Sequence, residues 1–176
     1  PPSSGSKLSF AVQTMTRFSQ PKSNFSHLLA HDAQFVRLGM LAERYFPEDP
    51  NTSILKLRQL AELLAQFAAA RIGVRDEAGD GQFERLRRLA DEGILSAEMA
   101  GLFAEVRRAG NAAAHENKGD HGTALATLRI TWQLSIWFHR TFADPAFKSG
   151  PFFPPVSPKN ETIELRQELE RLRSDL

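Results

Sequence analysis

The chain contains no cysteine, which excludes disulfides and cysteine-ligated metal sites and fits a reducing cytoplasm as the expected compartment. It has no apolar run approaching the ~18–20 residues of a membrane span, and nothing in it has the layout of a signal peptide. Neither sign of charge is in excess: 22 basic against 21 acidic residues give a formal net charge of +1. That balance argues against a surface that tracks nucleic acid throughout, while leaving room for a local basic patch. A GxxxxGK[ST] phosphate loop, a GxSxG elbow and an HExxH pair are all missing. So are alternating strand patterns of useful length and internal repeats. What remains is a soluble chain of 176 residues, 41% of them apolar, enough for one core of ordinary size.

Apolar residues recur at helical spacing through most of it. Residues 1–24 are Ser- and Pro-rich without a sustained period and read as a poorly ordered leader, with Met15 as a candidate native start. From Phe25, the residues Leu28, Phe35, Leu38, Leu41, Ala42, Tyr45 and Phe46 predict a helix that stops at "PEDPN". A long helix is expected over about Thr52–Ile72, on the stripe Ile54, Leu57, Leu60, Ala61, Leu64, Ala65 and Ala68. "GVRDEAGDG" is a loop, followed by the short basic helix "QFERLRRLADEG" closed at Gly93. Ser96 can cap the next helix, "SAEMAGLFAEVRRAGNAAAHE", and after "NKGDHG" another spans Thr123–Phe142 with Trp132 and Trp137. These elements place a bundle over residues 25–143. Residues 144–158 form a Pro-rich linker that cannot be helical, and residues 159–176 begin a coiled-coil arm on Leu165, Leu169, Leu172 and Leu176. In that arm Arg166–Glu170 and Glu170–Arg173 lie at helical neighbour spacing. The fold class is all-α, with about five core helices and the C-terminal arm.

Few side chains suggest chemistry. Glu48–Asp49 lies between prolines and reads as a turn and helix start. His27 and His31 are four apart, a metal-like spacing, but two ligands without a third make no site, and a solvated first turn is the expectation. His121 falls in the polar turn, and His139 reads as a partly buried partner in helix packing. No metal site is expected. Arg58 and Glu62, an i,i+4 pair, suggest a structural salt bridge or a polar lock in which Glu62 reaches a cation on another helix. Arg85, Arg87 and Arg88 give either a solvated basic face or a nucleic-acid contact. In "EVRRAGNAAAHE", Arg107 or Arg108, Asn111 and His115 fall on one helix face, while Ala112, Ala113 and Ala114 admit a close neighbour. Two readings stay open. In one, the histidine is an acid or base and an arginine steadies a phosphorane-like transition state in RNA cleavage. In the other, the column is a polar lock between helices. Gly110 costs a helix up to ~1 kcal/mol relative to alanine, so a close crossing or a local bend should require it.

Four blocks in order, "DPNTSILKLRQLAELLAQ", "LRRLADEGIL", "VRRAGNAAAHE" and "ALATLRITWQLSIWFHRTF", resemble the N-terminal helical domain of type I restriction endonuclease R subunits, a domain of unknown function. The resemblance covers roughly residues 22–176. "RRAGNAAAH" also resembles the arginine-to-histidine motif of the HEPN superfamily of helical bundles, many of them dimeric ribonucleases. Carried over, that motif falls on Arg107 or Arg108 and His115, with Asn111 between. The restriction family implies a parent that cuts and translocates double-stranded DNA with ATP and Mg²⁺, alongside methylation and specificity subunits. This stretch would then need no cofactor and would serve as an accessory or docking domain. The alternatives are a HEPN-type ribonuclease or nucleic-acid-binding domain and a homodimeric interaction module.

Overall fold

A computed structural model describes residues 23–74, 81–156 and 158–174. The expected leader lies mostly outside these residues, as does much of the "GVRDEAGDG" loop. A 3-10 turn, Ser26–Ala30, precedes six helices: α1 Ala33–Tyr45, α2 Pro50–Arg71, α3 Gln82–Asp91, α4 Ala97–Glu116, α5 His121–Phe142 and α6 Pro158–Ser174. Among the described residues there is no strand, so the chain is all-α as its periodicity predicts. No described helix is long and apolar enough to cross a membrane.

Short-range signals set the helix starts. Asp32, Asp49, Ser96 and Asp120 each accept a hydrogen bond from a backbone N–H of the first turn of α1, α2, α4 and α5, at 2.7, 2.9, 3.2 and 2.7 Å. One expectation needs correction here: the helix read from Phe25 onward is two elements. Asp32 takes an extended backbone (φ −159°, ψ 134°) to cap α1, which breaks the period after the 3-10 turn. Helix α3 ends at a left-handed Gly93, and α4 ends at Asn117 with φ 49°.

Helix α2 is the centre of the bundle, with α1, α3, α4 and α5 all packed against it. It therefore buries Leu57, Leu60, Leu64 and the small residues Ala61, Ala65 and Ala68, where helices approach most closely. Phe35, Phe103 and Phe138 fill the space between helices, and edge-to-face contacts such as Phe35–Phe67 (4.8 Å between centroids) fix their packing. Buried hydroxyls are satisfied by backbone carbonyls: Ser53 donates across to Ala42 of α1 at 2.7 Å, and Thr131 to Thr127 of its own helix at 2.8 Å.

The Pro-rich segment after α5 is non-helical, as its prolines require, yet it is strapped to the bundle. Phe152 packs on Trp132 (5.3 Å) beneath the Arg129 guanidinium (5.2 Å). The Asn24 amide exchanges two 2.8 Å hydrogen bonds with the Phe153 backbone, while Asn24 also donates to Glu43 through its backbone N–H and its amide. Asn24→Ala removes the polar half of this strap. Chymotryptic cleavage after Phe152 should rise about tenfold, the effect of ~1.4 kcal/mol of lost local closure. Unchanged cleavage would mean that the aromatic contacts hold the strap alone.

Candidate functional site

Helix α4 carries the residues singled out in the sequence. It runs unbroken through Gly110, so a close crossing, not a bend, accounts for the glycine. A Cβ at Gly110 would lie under 3.0 Å from Cβ, Cγ and Cδ of Arg58, whose stem crosses α4 at this point. Beyond the crossing, Arg58 Nε meets Glu62 Oε1 at 3.0 Å within α2, with both side chains about one-third exposed. Glu62 thus pairs within its own helix and, among the described residues, reaches no cation on another helix. In that half-solvated setting the pair is worth at most ~1 kcal/mol, so the Arg58 stem matters to packing as much as its charge does.

The structure distributes the polar column unevenly. Arg107 and Asn111 are half-buried, while Arg108 and His115 are exposed. None of the four makes a side-chain hydrogen bond or ion pair with another described residue. Arg108 and His115 stand about 10 Å apart along the helix axis, from seven residues at ~1.5 Å each. One phosphate could meet both only if the two side chains bent toward each other.

The polar tie in this region comes from a residue the sequence did not single out. Asn51, in the first turn of α2, donates to the Ala113 carbonyl at 3.1 Å and accepts from the Gly119 N–H at 3.0 Å. It bridges the end of α4 to the turn before α5. Gly119 is required there, since a Cβ would fall under 3.0 Å from Asn51 Cα. His121, the first residue of α5, adds a 2.9 Å hydrogen bond to the Pro47 carbonyl. The signal for Asn51 was faint: Asp49 already caps α2, which leaves the neighbouring amide free to act on another element.

A second cluster lies at the opposite end of α5. His27 and His31, expected in a solvated turn, both meet His139: His31 by a hydrogen bond across 108 residues of sequence, His27 by an edge-on ring contact. His31 Nε2 and His139 Nδ1 are 3.0 Å apart, one nitrogen donating and the other accepting. His27 Nε2 lies 2.9 Å from Ser135 Oγ, and because that hydroxyl donates to the Trp132 carbonyl, the imidazole N–H is the donor. Phe147 of the strap covers His27 and His139 at 5.1 and 4.5 Å. Burial first, then the neighbouring His139, pushes His27 down to about 4 despite its bond to Ser135. His31 is lowered by burial, then by His139 and Arg71. No group of three His, Asp or Glu among the described residues is arranged to hold a metal. The cluster is a half-buried hydrogen-bonded network in which His27 and His31 both resist protonation.

The basic helix α3 presents little free charge. Arg85 is buried, Arg88 is half-buried and partnered, and exposed Arg87 is held by Glu84 at 2.9 Å.

A family model described as "Domain of unknown function (DUF4145)" matches residues 41–137, more than half of the chain. The chain is also 29% identical over 155 residues to the type I restriction enzyme EcoKI endonuclease subunit of Escherichia coli strain K12. That alignment covers 85% of this chain and 13% of the relative, so the chain spans a small part of that protein's length. No solved structure matches. The resemblance to type I restriction subunits thus holds over most of the chain, and neither match bears on the HEPN likeness of the α4 motif.

Proposed function

The chain belongs to the DUF4145 family, and from that premise we propose that it is an accessory docking domain of a type I restriction endonuclease subunit. The observation that carries this reading is the similarity to the EcoKI subunit across 85% of the chain. The site chemistry is in keeping with it. The α4–α2 crossing and the Asn51 tie are devices for holding helices in register, and the column residues share no hydrogen bond or ion pair with one another. On this reading, the catalytic work of the parent, DNA cleavage and translocation with ATP and Mg²⁺, lies in other parts of it. The bundle supports assembly with the methylation and specificity subunits, in the cytoplasm.

Deleting the counterpart of residues 22–156 from a full-length R subunit tests this. Assembly with its partner subunits, or DNA restriction by the complex, should fall markedly, while ATP hydrolysis by the deleted subunit serves as the folding control. Unchanged assembly and restriction, with the ATPase intact, would overturn the proposal.

A further inference from the structure

Helix α6 differs from every other described helix in burying none of its described side chains. From Ile163 to Ser174 all are exposed, including Leu165, Leu169 and Leu172 at 66%, 53% and 54%. These leucines are separated by four and then three residues, the seam of a heptad with Leu169 at position a and Leu165 and Leu172 at d. Leucines left in water on one stripe of a helix call for a partner.

The flanking charges specify which partner. In this register, the e positions are Lys159, Arg166 and Arg173, all basic, and the g positions are Glu161, Glu168 and Asp175, all acidic. In a parallel pair, each g residue faces the e residue five positions further along the other helix. A second copy would therefore set Glu161 against Arg166 and Glu168 against Arg173, each contact occurring twice by symmetry. An antiparallel pair would instead set e against e and g against g, like charges throughout. The helix has not spent these charges internally: Arg166, Glu168 and Arg173 form no ion pair with another described residue.

We infer that α6 is a self-association surface, pairing parallel and in register with α6 of a second copy. The leucine seam supplies the attraction, and the e/g charges supply the orientation. At about two heptads the contact is short, so the chain alone pairs weakly. The inference concerns the 176-residue chain itself and does not depend on the restriction reading.

The absence of cysteine makes the test direct. Leu169→Cys introduces a single thiol at an a position, and Ile163→Cys places one at b, outside the seam. Under a mild oxidant at ~0.2 mM protein, Leu169→Cys should form the disulfide-linked dimer at least ~tenfold faster than Ile163→Cys. In the Leu169→Cys background, the acidic variant R166E/R173E and the basic variant E161R/E168R should each cross-link about tenfold more slowly. Mixed, they should recover the rate and yield mainly the mixed dimer. Equal rates at positions 169 and 163 would overturn the inference, as would cross-linking that ignores the charge variants. The latter would locate any dimer elsewhere on the bundle.

Discussion

Replacing Gly110 by leucine should destabilise the protein by about 2–4 kcal/mol and lower its thermal midpoint by about 6–15 °C. The added Cβ would enter the space of the Arg58 stem, under 3.0 Å from its Cβ and Cγ as well as its Cδ. The far end of an arginine could swing away at little cost, but its Cβ is fixed to α2. That helix cannot shift, because the neighbouring Leu57 and Ala61 are buried in the core. Alanine at the same position regains up to ~1 kcal/mol of helix propensity against the same clash, so its net effect is smaller. The decisive measurement is a double-mutant cycle with Arg58→Gly, which removes the Cβ together with the stem, read by thermal or urea unfolding. Arg58→Gly alone costs about 1 kcal/mol of helix propensity, with a small further loss from its partly solvated ion pair. It should recover at least half of the Gly110→Leu loss. An equal loss in both backgrounds would show that the Arg58 stem is not what excludes a side chain there.

Gly110 also marks the boundary of what the sequence discloses. That a glycine inside a helical run needs a close neighbour follows from helix propensity, a local property. That the neighbour is Arg58 follows only from how α2 and α4 cross. The same division runs through the molecule. Helix starts at Asp32, Asp49, Ser96 and Asp120 rest on contacts two or three residues away, within reach of sequence reasoning. The Asn51 tie spans 62 and 68 residues, and the His31–His139 contact spans 108. Neither leaves a periodic trace. The Pro-rich segment misleads in another way: prolines announce that it is not helical, but its aromatic residues find Trp132, His27 and His139 on the bundle, which composition does not reveal. For "EVRRAGNAAAHE" the outcome is specific. Gly110 sits at the helix crossing and Ala113 is buried, while Ala114, Arg108 and His115 are exposed, the last two with no described partner.

Acidification should weaken the protein well before its carboxylates protonate, and His27 should account for a large part of that loss. Its pKa is lowered to about 4 from 6.5, so the folded state refuses a proton that the unfolded chain accepts. Above pH 6.5 both states are neutral at this residue, and its contribution to stability is intact. As the pH falls below 6.5 the unfolded state takes up the proton first, and stability drops until His27 itself protonates in the fold near pH 4. Discounted for the group's partial exposure to solvent, the loss across that window is about 2 kcal/mol. His31 shifts in the same direction, through burial first and then its neighbours His139 and Arg71, and adds to the loss. Asp49 and Asp120, lowered chiefly by their hydrogen bonds to Thr52 and Thr123, also lose stabilising effect in acid, but only as the pH nears the carboxylate range. The variant His27→Gln separates these contributions, because glutamine can still donate to Ser135 but cannot titrate. Urea unfolding between pH 7.5 and 4.5 should show wild type losing stability more steeply than His27→Gln, with the curves diverging below pH 6.5. Parallel curves would mean that His27 is protonated as readily in the fold as in the unfolded chain.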